Sequence, residues 1–383
     1  MRLLFIAKDF PAPEQPRSGV FVLRQAQALA RLGHEIRVVR VVPRAPAWTA
    51  KWRAYRAVPD RYAIEGIGVE TIRALFPPRM LAMEHLWLQV GPALRRSIAA
   101  FQPHIVHAHF LIPSGQLAVR QALPTVVTAH GSDAYDWAWR RPGLRRAAAE
   151  AVSRASLVVA VSAYIADHVR ALARREVHVV YNGADEGVFK PADREAARVE
   201  LGLPPERFVI AFTGGAAQAK GVFDLLQAAA ALSDLRPLLL VAGLDPRDSL
   251  DAAIAARGVE TRTYGVLAQA DLARLLTAAD VFALPSYREG LPASLCEAML
   301  CGRPAVATPA GGIPEILRDG EAGYLVAPGA VDALSARLRA IARDPAEAAR
   351  MGDAALRFAR DHLTWRINAD RYDALYRDML PAA

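Results

Sequence analysis

The sequence predicts an α/β protein built from two Rossmann-like domains, and three observations carry that prediction. At 383 residues the chain is too long for one ordinary core, since domains run to roughly 100–200 residues. Short apolar, β-branched runs alternate with stretches of helical periodicity, the pattern of parallel strands covered by helices on both faces. The series of runs then starts afresh after Lys190-Pro191.

In the first half the strand-like runs are 3–7, 36–42, 105–109, 125–130, 157–161 and 177–181. In the second half they are Phe208 to Phe212, Leu238 to Val241, Val281 to Leu284, Ala305 to Ala307 and Tyr324 to Val326. The expected domains are therefore 1–190 and 191–363, with a hinge from Asn182-Gly183-Ala184-Asp185 to about Gly202, where turn residues and polar helix interrupt the rhythm. A last helix, about 364–380 in the terminal stretch 364–383, lies beyond the second set of strands and can pack back on the first domain. Residues 43–90 read as less regular. There Trp48, Lys51, Trp52, Arg53, Tyr55 and Arg56 interleave cations with aromatics, which could seat in a membrane interface or contact a bulky acceptor, although a surface loop packing its aromatics on its own domain is the favoured reading.

The charge is uneven. Residues 1–190 carry 26 Lys and Arg against 14 Asp and Glu, whereas 191–383 carry 21 against 25, so the net +8 belongs to the first half. That asymmetry suits an anionic partner such as a phospholipid surface, a polyprenyl phosphate or an acidic glycan. Nucleic acid is disfavoured, because the arginines are scattered and no nucleic-acid motif is present. No apolar run reaches the roughly 18 residues of a membrane span, and Met1-Arg2 leads directly into a strand, so a cytoplasmic chain without signal peptide is expected. Cys296 and Cys301 offer neither a disulfide framework nor a metal knuckle.

The densest chemistry lies in Pro285 to Pro304. A strand ends near Ser286, Pro292 suits the first turn of a helix and Gly302-Arg303-Pro304 ends it. Glu289 then sits in the loop at the strand's carboxyl end, where ligands of open parallel sheets bind, and Glu297 about one and a half turns into the helix. Eight helical residues span about 12 Å, wider than the paired carboxylates of a glycosidase, so two separate grips on an elongated ligand are the better reading.

These residues resemble glycosyltransferase family 4, retaining enzymes of the two-domain GT-B fold with a deep inter-domain cleft, whose hallmark is a Glu, seven residues and a second Glu. Other segments match in order: Ser18-Gly19 before Val20-Phe21-Val22, Leu29 to Ile36, Ile105 to His109, Thr128-Ala129-His130-Gly131-Ser132-Asp133, Tyr181 to Pro191, Gly311 to Ile316 and Gly320 to Gly323. The resemblance covers almost the whole chain. Within the family it is most similar to bacterial cell-surface polysaccharide enzymes of the teichuronic-acid or capsule type.

The resemblance implies a nucleotide-sugar donor, UDP- or GDP-linked, passed to a glycan or polyprenyl-phosphate-linked acceptor, with no cofactor and no metal. It implies that Glu297 binds the donor ribose, that Glu289 faces the donor sugar, and that amides near Gly290 and Leu291 hold sugar and phosphates. Lys220 neutralises the pyrophosphate leaving group, with Gly214 in the same loop and Gly19 approaching the phosphates. His130 contacts the sugar near its anomeric carbon, and His109 and Asp133 lie on the acceptor side; as plain structure, Asp133 reads as a helix cap. The catalytic set is His130, Glu289 and Lys220. An Asp-x-Asp motif is absent, in keeping with metal independence.

One position departs from the family pattern. Gly215 stands where a second phosphate-binding Arg is usual, five residues before Lys220. Arg288 and Arg17 are the candidate replacements. Gly215 is also what favours the rival reading, a catalytically weak or non-catalytic nucleotide-sugar-binding protein. A dinucleotide oxidoreductase is excluded by the first loop, Lys8-Asp9-Phe10-Pro11, which lacks the glycine-rich turn such cofactors need.

Overall fold

A computed structural model of the chain describes residues 1–16, 18–44, 50–76, 83–215, 218–245 and 249–380, the side chains of 50–52 excepted. The chain divides into two compact units, Met1–Asn182 with Trp365–Ala383, and Gly183–Thr364. The first unit ends ahead of the expected boundary at Lys190. Residues 183–190 are tied elsewhere: Ala184 N donates to Leu363 O at 2.9 Å, and the Phe189 side chain is fully buried.

The first unit is built on strands β1 (Arg2–Ala7), β2 (Glu35–Pro43), β3 (Arg61–Ile64), β4 (Ile67–Ala74), β5 (Ile105–His109), β6 (Thr125–Ala129), β7 (Leu157–Ala160) and β8 (His178–Val179). Their order is β3-β4-β2-β1-β5-β6-β7-β8, all neighbours parallel except the β3–β4 pair. Strand β1 lies mid-sheet, and its residues Leu3 to Ala7 are all buried, as continuous apolar runs in doubly covered sheets should be. The chain reverses its direction of growth between β1 and β5, so the loops leaving those two strands face each other at the carboxyl edge.

The stretch 43–90, read from sequence as irregular, contains the β3–β4 hairpin and the helix Ala50–Ala57. Its turn residues Glu65 and Gly66 both have positive φ, at 47° and 84°, as a two-residue hairpin turn demands. Of the aromatic and basic cluster, Trp48 lies outside the described residues. Arg53 and Arg56 are exposed and Tyr55 is half-buried.

The C-terminal helix Trp365–Met379 lies on the first unit. Trp365, Ala369, Tyr372 and Tyr376 join one buried cluster with Leu3 and Phe5 of β1 and Val22, Leu23 and Ala26 of the helix Val20–Arg31. Polar ties fix its rotation: Gln25 Nε2 donates to Asn368 at 2.9 Å, Asn368 Nδ2 to Tyr181 O at 2.7 Å, and His34 Nε2 pairs with Asp373 at 2.8 Å.

The second unit is a six-stranded, wholly parallel sheet of β9 (Val209–Thr213), β10 (Leu238–Leu244), β11 (Thr261–Gly265), β12 (Val281–Leu284), β13 (Ala305–Ala307) and β14 (Gly323–Leu325). The order β11-β10-β9-β12-β13-β14 is the 3-2-1-4-5-6 arrangement of a dinucleotide-type Rossmann sheet. Its switch point falls between β9 and β12. The edge strand β11, missed from sequence, is polar and only half-buried, so it lacks the apolar run by which the central strands announce themselves.

Candidate functional site

In the second unit, the loop after β9 carries Lys220 and the loop after β12 carries Glu289, so the switch point brings the two together. Lys220 Nζ lies 2.8 and 3.0 Å from the two carboxylate oxygens of Glu289. The Glu289 side chain is 7% exposed and that of Lys220 38%, so a nearly buried carboxylate is held by a cation whose other side meets solvent. The resemblance sends these groups to different parts of the donor, the sugar and the pyrophosphate; the structure shows them as one ion pair. A ligand phosphate would have to compete with Glu289 for the ammonium or share it.

The loops are locked together by backbone. Gly221, at φ 72°, caps the helix Val222–Ala230, and a Cβ there would come within 2.0 Å of Pro285 O. Tyr287 N donates to Ala219 O at 2.9 Å, and the Tyr287 hydroxyl to Asp224 at 2.8 Å. On the other side Gly311 passes so close that its Cβ would meet Glu289 O at 2.0 Å, while Gly312 N donates to Gly290 O at 2.8 Å. The loop from Pro285 to Gly290 is thus held between two glycine turns.

Glu297 lies in the helix Ala293–Leu300, with Leu295, Cys296, Ala298 and Met299 buried around it. Part of its surface remains open, and burial of the rest pushes its carboxyl up to about 8. Such a carboxyl can meet a hydroxyl pair in either state, accepting from both hydroxyls when ionised and donating to one when protonated. Burial likewise pushes the neighbouring thiol of Cys301 up to about 12 and that of Cys296 upward. Leu291 is buried, and Gly214 N is taken by Ala242 O at 2.8 Å. Arg288, beside Glu289, is exposed. Arg17, the other candidate for the missing phosphate cation, lies outside the described residues.

In the first unit, Gly19 has φ 65°, and a Cβ would strike Asp9 O at 2.1 Å. The glycine is required for the loop to close on its own strand exit, whatever it later approaches. His130 follows β6 and rests between the rings of Phe21 and Phe110, at centroid distances of 4.7 and 4.8 Å. Its Nε2 lies 3.1 Å from His109 Nδ1, and burial lowers it to about 3, so it is a neutral imidazole.

Behind His130 stands a column of stacked imidazoles. His109 is 5.3 Å from His130 and 4.4 Å from His107, ring centre to ring centre. His107 is held at both nitrogens, Nε2 by Thr128 Oγ1 at 2.8 Å and Nδ1 by the Tyr376 hydroxyl at 2.7 Å, and burial lowers it to about 3. Thr128 Oγ1 in turn meets the Tyr372 hydroxyl at 2.8 Å. The tyrosines of the last helix were not read from sequence as part of any site, although Asn368, Tyr372 and Tyr376 recur at helical spacing.

Two expected acceptor contacts need correction. His109 and Asp133 are both 0% exposed. Asp133 does not simply cap its short helix: it accepts from the amides of Leu111 at 2.9 Å, Gly131 at 2.8 Å and His130 at 3.1 Å, joining the loops after β5 and β6. Its desolvation is offset by those three bonds, although burial still raises its carboxyl. Both residues orient the His130 loop rather than face a ligand.

Comparison with known proteins gives two family matches in tandem, Glycosyltransferase Family 4 over residues 18–187 and Glycosyl transferases group 1 over residues 193–358. The chain is 30% identical to a Bacillus subtilis protein named as the teichuronic acid biosynthesis glycosyltransferase TuaC, over 82% of this chain and 83% of that one. It is 32% identical to the D-inositol 3-phosphate glycosyltransferase of Mycobacterium marinum, over 98% of this chain and 85% of the relative. Among solved structures, the sucrose-phosphate synthase of Thermosynechococcus elongatus superposes with a TM-score of 0.83 at 21% identity, both chains fully covered. The Anabaena protein HepE in complex with UDP-glucose gives 0.72 at 22%, covering 98% of this chain and all of that one. At these identities the structural likeness shows the fold.

Proposed function

Because the chain belongs to glycosyltransferase family 4, we propose that it transfers a hexose from a nucleotide sugar to a glycan or lipid-linked acceptor, with retention and without a metal. The observation that carries this reading is the Lys220–Glu289 pair at the switch point of the second sheet, with Glu297 in the helix that follows. Lys220 is a compact cation placed to take the pyrophosphate charge that a metal takes elsewhere. In the proposed step the bond from the anomeric carbon to the phosphate oxygen breaks, and the acceptor oxygen bonds to that carbon on the same face. The acceptor's proton passes to the departing phosphate, so no side-chain nucleophile is needed. Neutral His130 lends a hydrogen bond to the sugar, and Glu297 holds the ribose.

The TuaC relative supports a place in cell-surface polysaccharide synthesis, and HepE, solved with UDP-glucose, supports UDP as donor base. No helix among the described residues is long and apolar enough to cross a membrane. The basic first half supports attachment to the cytoplasmic face through anionic lipid, which flotation with anionic vesicles at low and high salt tests. Proton NMR of slow donor hydrolysis in EDTA tests the chemistry: the sugar should first appear with the anomeric configuration it had in the donor. Appearance of the opposite anomer, or a requirement for divalent metal, would overturn this mechanism. Gly215 favours a binding-only protein, which would bind donor and release no sugar.

A further inference from the structure

Among the described residues Arg40 is the largest side chain with essentially no exposure. It stands on β2 opposite Ala7, the last residue of β1, and opposite Thr71 of β4. Strand β2 continues past the end of β1, so Arg40 lies beneath the loop that runs from Lys8 to Gly19, at the ligand-binding edge of the sheet. One guanidinium nitrogen, Nη2, donates to Gln15 Oε1. Among the described residues Nε and Nη1 have no hydrogen-bond partner, and no carboxylate comes within ion-pair range. Of the loop's acids, Asp9 pairs with Lys8 at 3.5 Å and Glu14 is exposed.

Arg198 shows what a structural arginine looks like in this chain. At 4% exposure it donates to the carbonyls of Ala278 and Pro205 and pairs with Asp280 at 2.7 Å. A buried charge left without such partners is strongly destabilising. The described cover over Arg40 is light. Gln15 closes a tight turn on Ala12, with Gln15 N donating to Ala12 O at 2.9 Å, and remains partly exposed between the exposed prolines Pro13 and Pro16. Tyr62, whose hydroxyl donates to Pro11 O at 2.7 Å, and Tyr55 flank the site; Arg40 lies within hydrogen-bonding reach of the Tyr62 phenol and its charge acts on both phenols, opposing the upward push of their burial.

We propose that Arg40 reads an oxyanion of the acceptor, so that the acceptor of this chain is a sugar or glycan bearing a carboxylate or phosphate. The proposal rests on the glycosyltransferase reading and specifies its acceptor. The ligand's anionic group replaces the Gln15 amide and accepts side by side from Nε and an Nη, the fork geometry that guanidinium offers. The half-buried rings of Tyr55 and Tyr62 give the sugar its walls.

Thermal-shift titration of the full chain tests this, with D-glucuronate and glucose 6-phosphate as probes, glucose and sodium chloride at matched ionic strength as controls, and UDP as the donor arm. At least one anionic probe should stabilise the native chain beyond the controls. Arg40→Met should weaken that probe about ten- to a hundredfold, the worth of a charge-assisted hydrogen bond, and leave UDP binding unchanged. Without probe, Arg40→Met should melt no lower than the native chain. Gln15→Ala, at a partly exposed position, should bind the probe more tightly, since it removes the competing amide.

The proposal is overturned if neither anionic probe exceeds chloride. It is equally overturned if Arg40→Met weakens UDP as much as the probe, which assigns the guanidinium to the donor's pyrophosphate, or if that variant melts lower without probe, which makes Arg40 a strut. UDP binding to the native chain reports separately on the glycosyltransferase reading, so the two failures are distinguishable.

Discussion

Lys220→Ala separates what the Lys220–Glu289 pair does for the fold from what it does for the reaction. In the free protein the substitution leaves a carboxylate that is 7% exposed without its cation. Breaking a buried pair costs up to about 5 kcal/mol, but the ammonium is 38% exposed and screened by solvent, so about 1–2 kcal/mol is expected here. Adding Glu289→Gln removes the stranded charge, and the double variant should recover most of that stability in urea unfolding. Catalysis should not follow. Loss of one preorganised cation at a leaving group lowers kcat by about 10²–10³, and no change at Glu289 restores it. The assay is donor turnover in EDTA, read beside the unfolding midpoint of each variant. Turnover by Lys220→Ala within threefold of the native rate would refute the leaving-group role. Recovery of turnover in the double variant would show that Lys220 serves only to neutralise Glu289.

Three further predictions follow from the same geometry. Gly221→Ala places a Cβ 2.0 Å from Pro285 O at a φ of 72°, so it should destabilise the second unit by at least about 2 kcal/mol and lower turnover by moving Lys220; an unchanged melting temperature would show that the two loops are not locked. Glu297 has its carboxyl raised to about 8, so the native state holds a proton that the unfolded chain releases near the ordinary carboxylate value, and stability should fall as pH rises from about 5 to 8, by at most ~1.4 kcal/mol per unit. Glu297→Gln should flatten that slope, and an unaltered profile between the two chains would contradict the burial assigned to this carboxyl. Tyr376→Phe removes the hydroxyl from His107 Nδ1 and should cost about 1–2 kcal/mol, with the largest gain in amide exchange in β5 and the C-terminal helix; equal exchange in both chains would mean that the network does not hold that helix.

The central strands were legible because each is a short apolar run bounded by turn residues. The run Val281 to Leu284 was placed at its observed ends, and Ile105 to His109 likewise. Strands β3, β4 and β11 were missed; β3 and β11 are edge strands that keep polar residues on an open face and lose the apolar signature, and in β4 Gly68, Glu70 and Arg73 interrupt the apolar run. The site was legible in composition and not in pairing. Glu289, Glu297 and Lys220 could be named, but only the strand order shows that Lys220 and Glu289 share a switch point and bond to each other. Asp133 and His109 were placed on the acceptor side, with a helix cap and a strand histidine as their plain readings, and their complete burial is not something a motif states. Arg40 was not singled out, although alternation in Glu35–Pro43 puts it in phase with the buried Ile36 and Val38; that its guanidinium is short of partners appears only once the loop above it is in place.

The most direct test of the account is calorimetric titration of the native chain with UDP-, GDP- and ADP-sugars in EDTA, repeated on Glu297→Ala and Lys220→Ala. The account predicts that one nucleotide sugar binds without metal, with UDP as the expected base, and that each substitution weakens it at least tenfold, about 1.4 kcal/mol. Absence of binding by any of the three sugars, or binding that both variants retain, would contradict the assignment of the donor site to the switch point of the second sheet.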